Sequence, residues 1–299
     1  MTEIHGIVPP LTTPFDESEE IDEAALRDEV RYLIEDAGVH GLAVGGSTGE
    51  GHTLSTDELH RVVGLTAQEA GGRVPVIAGI IVDSTRQAIE RGRAVADLGV
   101  AALQVTPVHY LFRPDDDMMV AHFDTIAEQV GLPVMIYNVV PWSYCSPDLL
   151  ARIITEAPGV IGVKQSAGDM KMLADLLLAV GERSVIMSAV DALLYPSFCL
   201  GAHGAIAAIL AAAPELCVKL WLAVQLGNHT VALDLHKKLL VIWNAITGDN
   251  LPANVKTALA LQGRYAGLPR SPMPRSSEAQ RATICEALAA AGVALGEPL

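Results

Sequence analysis

The chain has 299 residues, 51% of them hydrophobic, enough to bury one large core and close to the length at which single cores stop growing. Its 35 acidic and 20 basic residues leave a net charge of −15, with a pI near 4.9 and no basic block, which argues against a nucleic-acid or anionic-membrane partner. The opening MTEIHGIVPP has no basic region feeding an apolar stretch, and the most apolar run, 205–213, is too short to span a bilayer, so a soluble cytoplasmic protein is expected.

Short runs rich in β-branched and aliphatic residues recur along the chain, most of them followed by a longer helical pattern. Strands are predicted at 6–11, 41–44, 74–78, 102–105, 134–137, 160–164, 185–188 and 204–208. Helices are predicted at 23–37, 56–69, 84–98 and 116–130 after the first four strands. Beyond Pro214 the pattern is helical only, at 215–226, 230–246, 253–264 and 278–291. Eight strand units separated by crossover lengths predict a (β/α)8 barrel over 1–225, with a C-terminal helical extension over 226–299 packed on it. An open doubly wound sheet fits less well, because no GxGxxG follows any strand.

In a barrel of this type the chemistry lies at the carboxyl ends of the strands. The polar candidates fall there: GGSTGEG (45–51) after the second strand, TPVHY (106–110) after the fourth, YNVVP (137–141) at the fifth, and Lys164 ending the sixth. A lysine at the end of an apolar strand is poorly hydrated, and desolvation favours the neutral amine, a nucleophile for a carbonyl carbon. The alternative is a stem lying along the rim with its charge in water.

Ser47 and Thr48 stand between glycines in a loop whose N–H groups and hydroxyls suit a carboxylate; the same residues also suit a turn in which a hydroxyl caps a helix. Tyr137 ends a buried strand with a phenol that can relay protons, or is simply an aromatic with a wet hydroxyl. His109 and Tyr110 offer a second proton-transfer group, and the sequence does not choose between them. Asn138, Asp191 and His203 are weaker candidates: Asp191 is expected to cap the helix after strand seven, and His203 to satisfy backbone carbonyls. Lys256, in DNLPANVK, is expected to be solvated. Cys145, Cys199, Cys217 and Cys285 show no CxxC spacing and the nine histidines show no HExxH or HxH pair, so neither disulfides nor a metal centre are expected.

Taken together, GSTGE after strand two, YN at strand five and GVK at strand six resemble the dihydrodipicolinate synthase and N-acetylneuraminate lyase family of class I pyruvate-dependent aldolases. The resemblance extends to GIVPPLTTPF at the start, GAHGAIAA at strand eight and NLPANVKTAL in the helical tail, and so covers essentially the whole chain. It implies that Lys164 forms a Schiff base with C2 of pyruvate or another 2-oxo acid, without metal or organic cofactor. It further implies that Tyr137 relays protons, that Ser47 and Thr48 hold the substrate carboxylate, and that the backbone at Ile206 lines the pocket. A homotetramer built as a dimer of dimers is implied too, with an aromatic near His109 or Tyr110 lent across the dimer interface.

Departures from the family pattern bear on the second substrate. In the synthases the YN strand end continues with proline and then an arginine that binds the aldehyde's carboxylate; here Pro141 comes one place late and Trp142 stands where the arginine is expected. His109 replaces a common tyrosine, and Thr56, Leu59 and Val108 occupy the positions of a lysine feedback site, so that regulation is not expected. The sequence therefore implies a Schiff-base lyase or aldolase acting on a 2-oxo acid, with a less polar aldehyde facing Trp142. The alternatives are a dehydratase or deaminase using the same imine, a dihydrodipicolinate synthase proper, and a non-catalytic 2-oxo acid binding protein.

Overall fold

The computed structural model describes residues 4–296; residues 1–3 and 297–299, the outer ends of the expected barrel and extension, lie outside the described residues. Eight short strands form one parallel sheet: β1 (Gly6–Ile7), β2 (Leu42–Val44), β3 (Val76–Ile80), β4 (Ala102–Val105), β5 (Val134–Asn138), β6 (Val160–Gln165), β7 (Val185–Ser188) and β8 (Gly204–Ala205). From β2 to β8 each strand pairs with its neighbours in sequence, and β8 pairs back onto β1. A parallel bridge between Pro10 and Ala43 joins the chain after β1 to β2, completing the expected (β/α)8 barrel.

Residue alternation decides what faces the barrel axis. Ala43, Ile77, Ala102, Met135, Met187 and Ile206 belong to one small apolar cluster together with Ile4 and Val8. Their strand neighbours Leu42, Val44, Val76, Ala78, Leu103, Val134, Ile136 and Ile186 belong to the larger cluster packed under the helices. With a side-chain period of two, the small cluster fills the barrel interior and the large one the layer outside it. Tyr137 follows Met135 by two residues, and Lys164 lies beside both Tyr137 and Met187 in the sheet register, so both side chains project into the barrel mouth.

The surrounding helices are α1 (Glu23–Glu35), α2 (Thr56–Ala70), α3 (Thr85–Val95), α4 (Asp116–Val130), α5 (Pro147–Glu156), α6 (Met170–Val180), α7 (Leu194–Cys199) and α8 (Ile209–Ala212). The side chains of Asp22, Ser55, Ser84, Asp115, Ser146 and Asp169 accept first-turn N–H groups and so fix where α1 to α6 begin. The expected first strand is cut short at Ile7 because Pro9 and Pro10 have no N–H to give the ladder. The third strand begins at Val76 rather than 74, with Pro75 just before it, for the same reason.

The C-terminal part contains α9 (Pro214–Gln225), α10 (His229–Ile246), α11 (Leu251–Ala260) and α12 (Glu278–Ala291). Helix α10 packs on α9 and α12, and α11 packs on α8 and α12. Helix α11 starts two residues earlier than expected because Pro252 suits the first helical turn, where its missing N–H costs no bond. Among the described residues no helix is long and apolar enough to cross a membrane.

Candidate active site at the barrel mouth

Lys164 is 4% exposed, and its Nζ lies 3.8 Å from the centroid of the Tyr137 ring. The reading that puts its charge in bulk water is therefore set aside. Tyr137 is buried too, and its hydroxyl donates to Ser47 Oγ over 3.1 Å. The amine from β6, the ring and hydroxyl of Tyr137 from β5 and the Ser47 hydroxyl from the loop after β2 thus stand in line across the mouth. Thr48 is buried beside Ser47 in the same loop.

That loop has a defined shape. Gly45 adopts φ +73°, and a Cβ on Gly51 would stand 1.8 Å from the carbonyl oxygen of Gly45, so only glycine permits so tight a turn. Gly49 and Gly51 donate their N–H groups back to Gly46 O, and Glu50 donates to Ser47 O. The capping alternative for the Ser47 and Thr48 hydroxyls fails here: α2 is capped by Ser55, in a capping box with Glu58. The Ser47 hydroxyl is left to Tyr137.

Asp191, just beyond β7, does not cap α7, whose start has no side-chain cap; its Oδ1 instead accepts from the Ile209 N–H, at the start of α8. Asp191 and α8 both follow the carboxyl ends of their strands, and the N–H groups at the start of α8 have no carbonyl partner within their own helix. Burial raises the Asp191 pKa to about 6, against the opposing pull of those N–H groups and of the Lys164 charge. Ile206 is fully buried in the barrel interior, held by its N–H to Ser188 O.

The other candidates separate from this line. His109 turns its Nδ1 to Pro107 O (3.1 Å) and towards Asp83 Oδ1 (3.3 Å), while the backbone N–H groups of His109 and Tyr110 both donate to Asp83 Oδ1. The Tyr110 ring is exposed. Trp142 is exposed as well, and its Nε1 donates to His109 O over 2.9 Å, tying the loop after β5 to the loop after β4. Asn138 is structural: its amide bonds both Cys145 backbone groups and Gln165 Oε1. His203 meets a backbone N–H where carbonyls were expected: its Nδ1 accepts from Ile186 N, near the amino end of β7. Lys256 is not solvated but buried against Glu50.

Sequence reasoning passed over Asp83 and Tyr144. Asp83 lies just past the carboxyl end of β3, the position that singled out the other candidates. Tyr144 is close enough to Tyr137 that, after burial, the neighbouring phenol also raises its pKa. Among the described residues no group of three or more His, Cys, Asp or Glu side chains is arranged to hold a metal ion.

Residues 3–291 match the family model described as the dihydrodipicolinate synthetase family. The chain belongs to the dihydrodipicolinate synthetase family. Among relatives in this family, a 4-hydroxy-tetrahydrodipicolinate synthase of Methanopyrus kandleri is 36% identical over 279 residues, covering 92% of each chain. A protein of the same name from Bradyrhizobium diazoefficiens is 36% identical over 295 residues, covering 98% of each chain. The solved structure of YagE, an E. coli K12 prophage protein of the dihydrodipicolinic acid synthase family in complex with pyruvate, superposes with a TM-score of 0.92 at 25% identity, covering 97% of this chain and 99% of that one. Membership in the dihydrodipicolinate synthetase family makes the chain an enzyme of lyase type.

Proposed function

We propose that this enzyme forms a Schiff base between Lys164 Nζ and C2 of pyruvate or a related 2-oxo acid, and makes or breaks a C–C bond at C3 with an aldehyde as partner. The observation that carries the reading is the buried Lys164 amine stacked on Tyr137, whose hydroxyl reaches Ser47. The neutral amine attacks C2, the Tyr137 hydroxyl protonates the carbonyl oxygen, and the carbinolamine then loses water to give the protonated imine. That imine is an electron sink: the Tyr137 phenolate left by the first step takes a C3 proton to give an enamine, and C3 attacks the aldehyde carbon while Tyr137 returns that proton to the aldehyde oxygen. Water then returns to C2 and frees the lysine. No metal or organic cofactor is called for in this sequence.

The N–H groups and hydroxyls at Ser47 and Thr48 suit the substrate carboxylate, and the apolar wall at Ile206 suits the C3 side. Trp142 is an exposed indole at the position where the synthases carry a carboxylate clamp, which favours an aldehyde without a second acid group. A second reading, synthesis of 4-hydroxy-tetrahydrodipicolinate from aspartate semialdehyde, is favoured by the names of the relatives. Pyruvate supplied with a panel of aldehydes, followed by NMR, tests both. A new C–C bond with aldehydes lacking a carboxylate supports the first reading; efficient turnover of aspartate semialdehyde supports the second; release of water or ammonia from a 2-oxo acid alone contradicts both.

The reading includes a cytoplasmic homotetramer. Tyr110, Leu111, Phe112 and Trp142 form an exposed apolar group beside the mouth that a neighbouring copy would cover, bringing an aromatic to the site. Residues 1–225 would then be the catalytic barrel and 226–299 the helical extension that supports it.

A further inference from the structure

Glu50 closes the turn that carries Ser47 and Thr48, and it does so at φ +55°, in the left-handed region that residues with a Cβ disfavour. Such a conformation persists only where the surroundings over-determine it. Here they do. The Glu50 side chain is fully buried, with Oε1 held by Lys256 Nζ at 2.6 Å and Oε2 by the Arg270 N–H at 2.9 Å. Lys256 Nζ also donates to Leu268 O, and it lies 4.8 Å from the Phe15 ring centroid, with the Arg270 guanidinium over the same ring at 4.1 Å. That guanidinium donates to Thr53 O and to Glu58, beyond the turn, and Thr13 Oγ1 holds Gly49 O from the opposite side.

A buried ion pair adds little net stability compared with apolar residues of the same volume, because desolvation offsets its attraction. Its value lies in direction, and this pair reaches from α11 to a residue two places from Thr48. We propose that Lys256 and Glu50 are positioning residues: the C-terminal helices reach over the barrel and lock the turn so that the Ser47 and Thr48 donors are aimed at the substrate carboxylate. The inference rests on the imine reading given above. Lys164 and Tyr137 are anchored in β6 and β5, and the turn touches them only through the bond from the Tyr137 hydroxyl to Ser47 Oγ. Cutting the latch therefore weakens 2-oxo acid binding, while Lys164, fixed in β6, still forms the adduct once pyruvate saturates.

The test is borohydride trapping titrated with pyruvate on the full chain, read by intact mass and paired with thermal unfolding. Lys256→Met is expected to raise the half-saturating pyruvate concentration by about tenfold or more, while adduct on Lys164 at saturation stays complete. Glu29→Gln is the matched control: it weakens another buried pair, with Arg264, that ties the segment after α11 to α1 and not to the turn. It is expected to lower Tm with half-saturation unchanged. Lys256→Met that lowers Tm but holds half-saturation within about twofold of the natural chain overturns the proposal and leaves a purely structural bridge. Should Lys256→Met not fold, Glu50→Gln is read by the same two outcomes. A natural chain that takes up no adduct removes the imine reading itself, and the latch with it.

Discussion

The Tyr137 ring lies under the Lys164 amine at 3.8 Å while its hydroxyl reaches 3.1 Å to Ser47 Oγ, so one side chain both packs against the amine and ties it to the loop after β2. These two functions can be separated. Tyr137→Phe keeps the ring and removes the hydroxyl proposed to relay protons. The expected result is a fall in kcat of about 10²- to 10³-fold, the scale of a lost general acid, with Tm changed little. Stopped-flow imine formation and thermal unfolding check both halves.

Thr48→Val removes one hydroxyl from the proposed carboxylate site without altering the side-chain volume much. A hydrogen bond to a charged group is worth about 1.5–3 kcal/mol, so KM for pyruvate is expected to rise roughly 10- to 100-fold. The effect on kcat should be smaller. A change confined to kcat would place Thr48 in proton transfer instead.

Trp142→Arg tests the aldehyde preference. Trp142 is exposed at the mouth, so a guanidinium there can be hydrated when empty and pair with a carboxylate when occupied. The variant is expected to gain about tenfold in kcat/KM for aspartate semialdehyde relative to an aldehyde without a second acid group. It also loses the bond from Nε1 to His109 O, so turnover of the uncharged aldehyde serves as the internal reference.

Two groups set opposing slopes in acid stability. Burial lowers the His122 pKa to about 4, its Nδ1 facing Thr85 Oγ1, and the unfolded chain therefore binds a proton more readily between pH 6.5 and about 4. Its contribution is lost as pH falls through that window, by about 3 kcal/mol at full effect. Asp191 works the other way, because its raised pKa of about 6 makes the folded chain hold the proton more tightly and stability fall as pH rises from 3.8 towards 6. Urea unfolding from pH 4 to 7 is expected to show a shallower acid loss in His122→Asn and a steeper one in Asp191→Asn.

The sequence carried the barrel and the juxtaposition of Lys164, Tyr137 and Ser47 because both follow from local patterns. The strand-then-helix rhythm needs only a few residues of context, and GVK, YN and GSTGE each occupy one strand end. Strand limits at Ile7 and Val76 were harder to read, since the prolines beside them act through a ladder that exists only after pairing. What lay outside reach were partnerships over long separations. Lys256 lies more than 200 residues from Glu50 and reads in isolation as a surface lysine; only the fold shows its partner. Asp191 finds its partners at Ile209, across β8, for the same reason. His109 and Tyr110 looked equivalent in sequence; Asp83, 26 and 27 residues upstream, holds both backbones, but only the His109 ring turns towards it while the Tyr110 ring is exposed.

The central claim is that Lys164 is the residue that bonds to substrate. Incubating the enzyme with pyruvate, reducing with borohydride and mapping the product by peptide mass spectrometry measures this directly. One reduced pyruvate adduct per chain, on Lys164 and lost in Lys164→Arg, is the predicted result. No adduct, or an adduct that persists in Lys164→Arg, would contradict it.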